Sequence, residues 1–307
     1  MDFTDVSLTA LRVFRAVAEQ GTFTAAAGTL GYTQSAVSRQ IATIERVAGA
    51  ALLERHREGV KLTAAGHLVL RRATAVLDQI DATARELSGL PAHTATVRVG
   101  WFPSAGAALL PKAIAALRQS HPGITVQSRE GSTPALARAL RAGSVDLALL
   151  ASEPPFRPPD TESPALIMRT LTERSLCVAV PATHPLARGD YIDVADLHGQ
   201  QWIAGPNTSD DRLMGVWPGL DERPEIAHTA RDWLAKLQLV AAGCGLTTIP
   251  AVLAPAALPS VRVLPVRGGP QEQRRLLLAH LPSPLSEAAA RTAEALRTAA
   301  IGLDVPQ

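Results

Sequence analysis

Apolar side chains recur at helical spacing through the first ninety residues, and glycines punctuate them. Leu8, Leu11, Val13, Phe14, Val17 and Ala18 share one side of a helix predicted over about 7–20, which Gly21 stops. A short alanine-rich helix over 24–30 follows, small enough for a neighbour to pack close, and Gly31 ends it. Thr33 is placed to cap a third helix running to about residue 48. Val37, Ile41, Ile44 and Ala48 face inward on it, and Gln34, Ser35, Ser38, Arg39 and Thr43 lie opposite. Beyond Gly49, residues 52–62 read as a hairpin with Gly59 in its turn and Arg55, Arg57 and Lys61 alongside. Thr63 then caps a long helix to about residue 87. Its apolar positions Val69, Ala73, Val76, Ile80, Ala84 and Leu87 form a stripe suited either to a second helix or to its own chain.

From residue 96 the pattern changes to alternating strands and helices. Strands over 97–100, 124–130 and 145–150, with helices over 105–119 and 134–142 between them, make a βαβαβ run. That run predicts a parallel sheet with right-handed crossovers. A proline-rich stretch over 154–164 precedes strands at 175–180, 201–203 and 225–228 and a helix at 232–242. Strands at 246–249, 261–266 and 274–280 and a terminal helix at 286–300 complete the chain. The second α/β series predicts two similar lobes with a cleft between them.

Composition narrows this picture. At 307 residues the chain is too long for one ordinary domain, and 47% hydrophobic against 19% charged residues is enough to bury cores. With 4% aromatics, aliphatic side chains and alanine must do most of the packing. The net charge of +2 rules out a general polycation, so any affinity for nucleic acid must come from a local patch. Residues 34–72 supply one, with seven basic side chains against three acids. No secretory pattern and no membrane-length apolar run is present, so a soluble, cytoplasmic protein is expected.

The candidate chemistry is recognition. A capped short helix with an amide and hydroxyls at its start, braced by another helix, suits the major groove of double-stranded DNA. Gln34 can pair with adenine edges, Ser35 and Ser38 can reach bases or phosphates, and Arg39 can grip guanine or phosphate. Thr24, opening the second helix, and Thr33, capping the third, are further candidates, and Arg55 and Arg57 can enter the minor groove or hold phosphates. A polar outer helix face without a ligand is the plainer alternative. No GxSxG elbow, phosphate loop or HExxH occurs, the histidines are scattered, and no catalytic residue, metal site or cofactor is expected. Cys177 and Cys244 match no CxxC or zinc spacing and read as reduced, mostly buried thiols, with a redox pair as the alternative.

Residues 8–88 resemble the N-terminal region of LysR-type transcriptional regulators. The likeness rests on Leu11, Phe14, Val17, Ala18, Gly21, Thr22, Phe23, Ala26, Ala27 and Leu30. It continues through Gln34 to Ser38, Gln40, Ile41, Ile44, Glu45, Gly49, Leu52, Arg55, Leu62, Thr63, Ala65 and Gly66. The α/β remainder is similar to that family's effector domain. The resemblance implies an α+β multidomain chain that is not an enzyme. It would comprise a winged helix-turn-helix over 1–62, a linker (dimerisation) helix over 63–89 and a two-lobed α/β, periplasmic-binding-protein-like effector domain over 90–307. Lobe I would take about 94–170 and 270–307, and lobe II about 171–269. It also implies a homodimer through the linker, a homotetramer, and DNA bending when a small effector binds. Ala48 and Leu53 depart from the family's leucine and phenylalanine, so looser packing under the wing is expected. Ala42 replaces a frequent basic residue, which shifts weight to Arg39 and Arg57.

In open α/β sheets ligands sit beyond the carboxyl ends of strands, near helix N-termini whose free N–H groups attract anions. Ser104, Thr133 with Pro134 after it, and Thr229 with Asp232 three residues on are the helix starts that qualify. Each hydroxyl is equally able to do no more than cap its own helix. The family likeness places effector contacts here, with Phe102, Ser132 and Gly205 as further cleft-lining candidates for a small anionic effector. Arg129 and Arg231 lie near and read as surface residues first. Two rivals stand beside this reading: the same fold acting as a thiol-based sensor, and a solute-binding or enzymatic module with an incidental helical N-terminus.

Overall fold

The computed structural model describes residues 5–56, 59–87, 95–154, 156, 162–205, 215–218, 220–269 and 272–302. Arg57 and Leu87's side chain lie outside that set. The chain divides into two compact units. One comprises residues 1–150, 158–169 and 277–300, and the other 151–157, 170–276 and 301–307. No helix among the described residues is long and apolar enough to cross a membrane.

The first unit begins with helices α1 (Leu8–Gln20), α2 (Phe23–Leu30) and α3 (Gln34–Ala48). Each starts on a hydroxyl that accepts from the backbone three residues on: Ser7 from Ala10 N, Thr22 from Ala25 N, Thr33 from Ala36 N, at 3.0–3.2 Å. Phe14, Val17, Ala26, Val37, Ile41 and Ile44 meet in one core, joined by Leu52, Leu70 and Leu77. Leu53 is buried in it and Ala48 packs partly against it.

Strands β1 (Leu53–His56) and β2 (Gly59–Leu62) form the hairpin, in antiparallel register with Leu53 opposite Leu62. Three attachments hold it. Glu45 Oε1 accepts from Leu52 N at 2.9 Å and Leu53 N at 3.1 Å, Val60 N donates to Gly21 O at 2.8 Å, and Thr63 Oγ1 donates to Ala51 O at 2.8 Å. At Gly59 (φ +138°) a Cβ would stand 2.3 Å from Gly21 O, so the hairpin approaches the α1–α2 turn only because this position has no side chain.

Helix α4 (Ala64–Leu87) is capped by Thr63, whose Oγ1 accepts from Gly66 N at 2.9 Å. Its apolar arc is wider than the head covers. Leu70, Ala73 and Leu77 are buried in the core, whereas Val76 and Ile80 remain 45% and 40% exposed. The expected single stripe is thus split between an inner edge and an open one.

Strand β3 (Ala95–Trp101) runs parallel to β4 (Ile124–Glu130) on one side and β5 (Leu147–Ser152) on the other, the predicted βαβαβ arrangement. The one helix expected between β3 and β4 is two, α5 (Pro103–Ala108) and α6 (Leu110–Ser120). Pro111 has no N–H to give the turn before it, and the break falls at Leu109. Helix α7 (Thr133–Arg141) packs Leu136, Ala137 and Leu140 with Ala148 and Leu150.

Strand β6 (Ile167–Pro181) carries the chain into the second unit and is far longer than its apolar part, 175–180, suggested. The unit adds β7 (Ile192–Asp193), β8 (Gln201–Ala204), β9 (Glu225–Thr229), α8 (Trp233–Ala241), β10 (Thr247–Pro250) and β11 (Val261–Arg267). Strand β6 is flanked by antiparallel β10 and β11, β11 pairs parallel with β7, and β8 pairs parallel with β9. Trp202, Leu176, Val178, Ile192 and Leu246 centre its core. Strand β12 (Gln273–His280) returns the chain to the first unit, where Leu277 and Ala279 join the α7 core and α9 (Glu287–Ile301) closes the chain.

Candidate functional site

Helix α3 presents two unlike sides. Val37, Ile41 and Ile44 are locked in the core, which fixes its rotation. Gln34, Ser35 and Arg39 are consequently exposed at its start, and Ser38 is half-buried. Thr33 both caps the helix and shares a 3.1 Å hydrogen bond with Ser35 Oγ. Thr24 is exposed on α2. On β1, the Arg55 guanidinium lies 5.1 Å from the Phe23 ring centroid, a contact that holds it beside the start of α2. Arg39, Arg46 and Lys61 make no ion pair among the described residues, so no carboxylate there offsets their charge.

The effector candidates fall into two groups, one in each unit. In the first, Trp101 and Glu130 end β3 and β4 side by side, and Gly131 N donates to Trp101 O at 2.9 Å. Phe102 and Ser104 at the start of α5, and Ser132 and Thr133 at the start of α7, therefore share one sheet edge. The capping assignments shift by a residue. Ser132, not Thr133, is the N-cap of α7, accepting from Ala135 N at 3.4 Å, and Pro134 takes the second helical position. Ser104 is buried inside α5, whose N-cap is Phe102. In the second unit Gly205 follows β8 and is buried, and Thr229 ends β9 opposite Ala204 and is exposed. Thr229 does not cap α8. Asp232 does, through Oδ1 to Ala235 N at 2.9 Å.

Lys236 on α8, a lysine only 4% exposed, is not evident as a site residue in the sequence. Its visible signal was a lone charge in an otherwise uncharged helix. Nor does local sequence show how the first unit joins its reading head to its sheet. Arg129, expected first as a surface residue, is paired with Glu19 of α1. Arg138 Nε donates to Glu19 O at 3.1 Å, and buried Thr74 Oγ1 donates to Ala142 O at 2.8 Å. Arg98 on β3 grips Asp78 of α4 and Asp146 together, with bonds of 2.8–3.3 Å. Burial alone would lower its pKa, but hydrogen bonds and charge from Asp146 and Asp78 raise it well above the usual value. A cavity of about 240 Å³ opens here, lined by Thr74, Asp78, Arg98, Asp146 and Ser286 among others. Arg98 is spent on two carboxylates, so the cavity has little pull on an anion.

Cys177 is buried, and burial pushes its thiol up to about 11, which suppresses the nucleophilic thiolate. Cys244 is half-exposed in the turn between α8 and β10.

Residues 8–67 match the family model described as a bacterial regulatory helix-turn-helix protein of the lysR family, and residues 92–300 match the LysR substrate binding domain. The chain is 31% identical over 266 residues to the HTH-type transcriptional regulator TtuA of Agrobacterium vitis, covering 85% of this chain and 86% of that one. It is similar to the crystal structure of full-length BenM, at 28% identity and a TM-score of 0.53 over 95% of this chain and 96% of that one. A variant of full-length OxyR from Pseudomonas aeruginosa, at 22% identity and a TM-score of 0.59 over 96% and 94%, shares the fold. With both models matched across most of its length, the chain belongs to the LysR family of DNA-binding transcriptional regulators, and it carries that family's effector-binding domain behind its reading head.

Proposed function

We propose that this regulator works in the cytoplasm as a homodimer paired through α4, assembled further into a homotetramer, and that it bends promoter DNA in response to a small anionic effector. The head would comprise residues 1–62, the linker 63–89 and the effector domain 90–307. Thr24, Thr33, Gln34, Ser35, Ser38 and Arg39 contact DNA from the helix-turn-helix, with Arg55 and Arg57 from the wing. Phe102, Ser104, Ser132, Thr133, Gly205 and Thr229 contact the effector. The open apolar edge at Val76 and Ile80 supports pairing through the linker.

The observation that carries the DNA reading is the exposed Gln34–Ser35–Arg39 edge of a helix whose opposite side is fixed in the core. Helix α7 supports a route for the signal. Its first residues are effector candidates, and Arg138 and the Ala142 carbonyl at its other end hold the head and the linker. An effector that moved α7 would shift the balance between two head placements.

Fluorescence anisotropy with the chain's own upstream promoter against random duplex tests this. Affinity should favour the promoter and fall steeply with salt, and Arg39→Ala should cost about 1–3 kcal/mol. Equal affinity for both duplexes, or indifference to salt, would sink the reading.

A further inference from the structure

Helix α8 carries one charge, Lys236, whose side chain is almost wholly buried. The ammonium lies 4.9 Å from the Trp233 ring centroid. Among the described residues it has neither a hydrogen bond nor a carboxylate partner. Its position is defined by Gly215: a Cβ there would stand 3.1 Å from Lys236 Nζ, 3.1 Å from Ala204 Cα and 2.6 Å from Ile203 O. The ammonium therefore reaches the carboxyl end of β8, where Gly205 leaves the sheet. Nearby carbonyls each already accept one hydrogen bond. Thr247 Oγ1 donates to Ile203 O at 2.9 Å, and Gly215 O accepts from Thr248 N at 2.9 Å. Trp217, two residues beyond Gly215, is 3% exposed and buries an indole N–H with no partner among the described residues.

A buried ammonium costs more than an apolar side chain of the same size unless an anion compensates it. Burial holds the Lys236 pKa below its ordinary 10.5, and no charge among the described residues opposes that pull. Leu237 and Val240 are the other buried residues of α8, and both are apolar.

We infer that Lys236 is the charge anchor for a small monocarboxylate bound at the carboxyl end of β8. One positive charge calls for one negative charge, and a carboxylate can accept from the ammonium while leaving its second oxygen for another buried donor. This rests on the reading of the domain as effector-binding and names the chemical class of the effector.

The test compares thermal unfolding of the full chain in sodium chloride with that in formate, acetate and benzoate at equal ionic strength, for wild type, Lys236→Met and Lys236→Arg. Circular dichroism verifies that each variant is folded. Wild type should melt higher in at least one carboxylate than in chloride. Lys236→Met should lose that shift, with affinity down roughly 10–100-fold, and Lys236→Arg should retain part of it. In chloride alone Lys236→Met should melt at or above wild type, because it removes an uncompensated charge. Absence of any carboxylate shift in wild type, equal shifts in wild type and Lys236→Met, or a lower melting point for Lys236→Met in chloride each overturn the inference. Promoter retention by wild type is measured on the same preparation. Its loss would sink the DNA-reading proposal and leave the anion site standing, whereas intact retention without a carboxylate shift sinks the anion site alone.

Discussion

Replacing Arg98 with methionine removes the joint between the linker helix and the first strand of the effector domain. The guanidinium donates to Asp78 at 2.9 and 3.3 Å and to Asp146 at 2.8 and 3.1 Å. Its side chain is 27% exposed, against 29% for Asp146 and 38% for Asp78, so water screens the Asp78 half more. Hydrogen bonds to charged groups contribute about 1.5–3 kcal/mol when sheltered, and exposed ion pairs about 0.2–1 kcal/mol. Assigning about 1.5 kcal/mol to the Asp146 half and about 0.5 kcal/mol to the Asp78 half puts Arg98→Met near 2 kcal/mol. Asp146 is not orphaned by the change, because the Arg98 backbone N–H still donates to it at 2.8 Å. For a unit of this size the loss corresponds to roughly 4–8 °C in Tm. Urea unfolding measures the free energy, and amide exchange in α4 locates it. Asp78→Asn alone should cost about 0.5 kcal/mol, and the double variant should fall short of additivity by about the same amount. If Arg98→Met costs under about 0.5 kcal/mol and leaves α4 exchange unchanged, the joint does not depend on this network.

Gly59→Ala places a Cβ against Gly21 O at a φ of +138°, so it should destabilise the head by about 1–3 kcal/mol and weaken promoter binding while leaving the second unit's melting unchanged. His67 on α4 is held below its ordinary 6.5 by burial and then by Arg141, with Glu162 opposing. The unfolded chain therefore takes up its proton first, and stability should be lost as pH falls through 6.5 toward the lower folded value. His67→Gln should flatten that part of the stability profile, and an unchanged profile would remove His67 from the account. With its thiol near 11, Cys177 holds a thiolate fraction under about one part in a thousand at pH 7.5, so iodoacetamide should label Cys244 well before Cys177. Equal labelling rates, or a peroxide response lost in Cys177→Ser, would revive the thiol-sensor alternative.

Much of the head was legible because its determinants are local. A hydroxyl three residues before the N–H that it caps, a glycine at a helix end and apolar residues three or four apart all act within one or two turns. They set the rotation of α3 and hence the exposure of Gln34, Ser35 and Arg39. The parallel β4–β3–β5 order follows from strands and helices in strict alternation. Capping failed where neighbouring residues competed for one role: Ser132 won over Thr133, and Asp232 over Thr229, because only the observed chain entry aims the oxygen at the free N–H groups.

By itself, then, the order of residues determined which stretches coil, which side of each is apolar, and where a polar reading edge begins. Only the folded chain decided which partner each side met. Periodicity makes the arc of α4 apolar but is silent on how much of it the head covers, and the answer left Val76 and Ile80 open. Arg138 and Glu19 lie 119 positions apart, and Thr74 and Ala142 lie 68 apart. Lys236 reads as an ordinary surface lysine until β8 and Gly215 close over its ammonium. Contacts of that kind depend on the path of the whole chain, and burial, which turns a charge into a site, is a property of that path and not of any residue's neighbours in sequence.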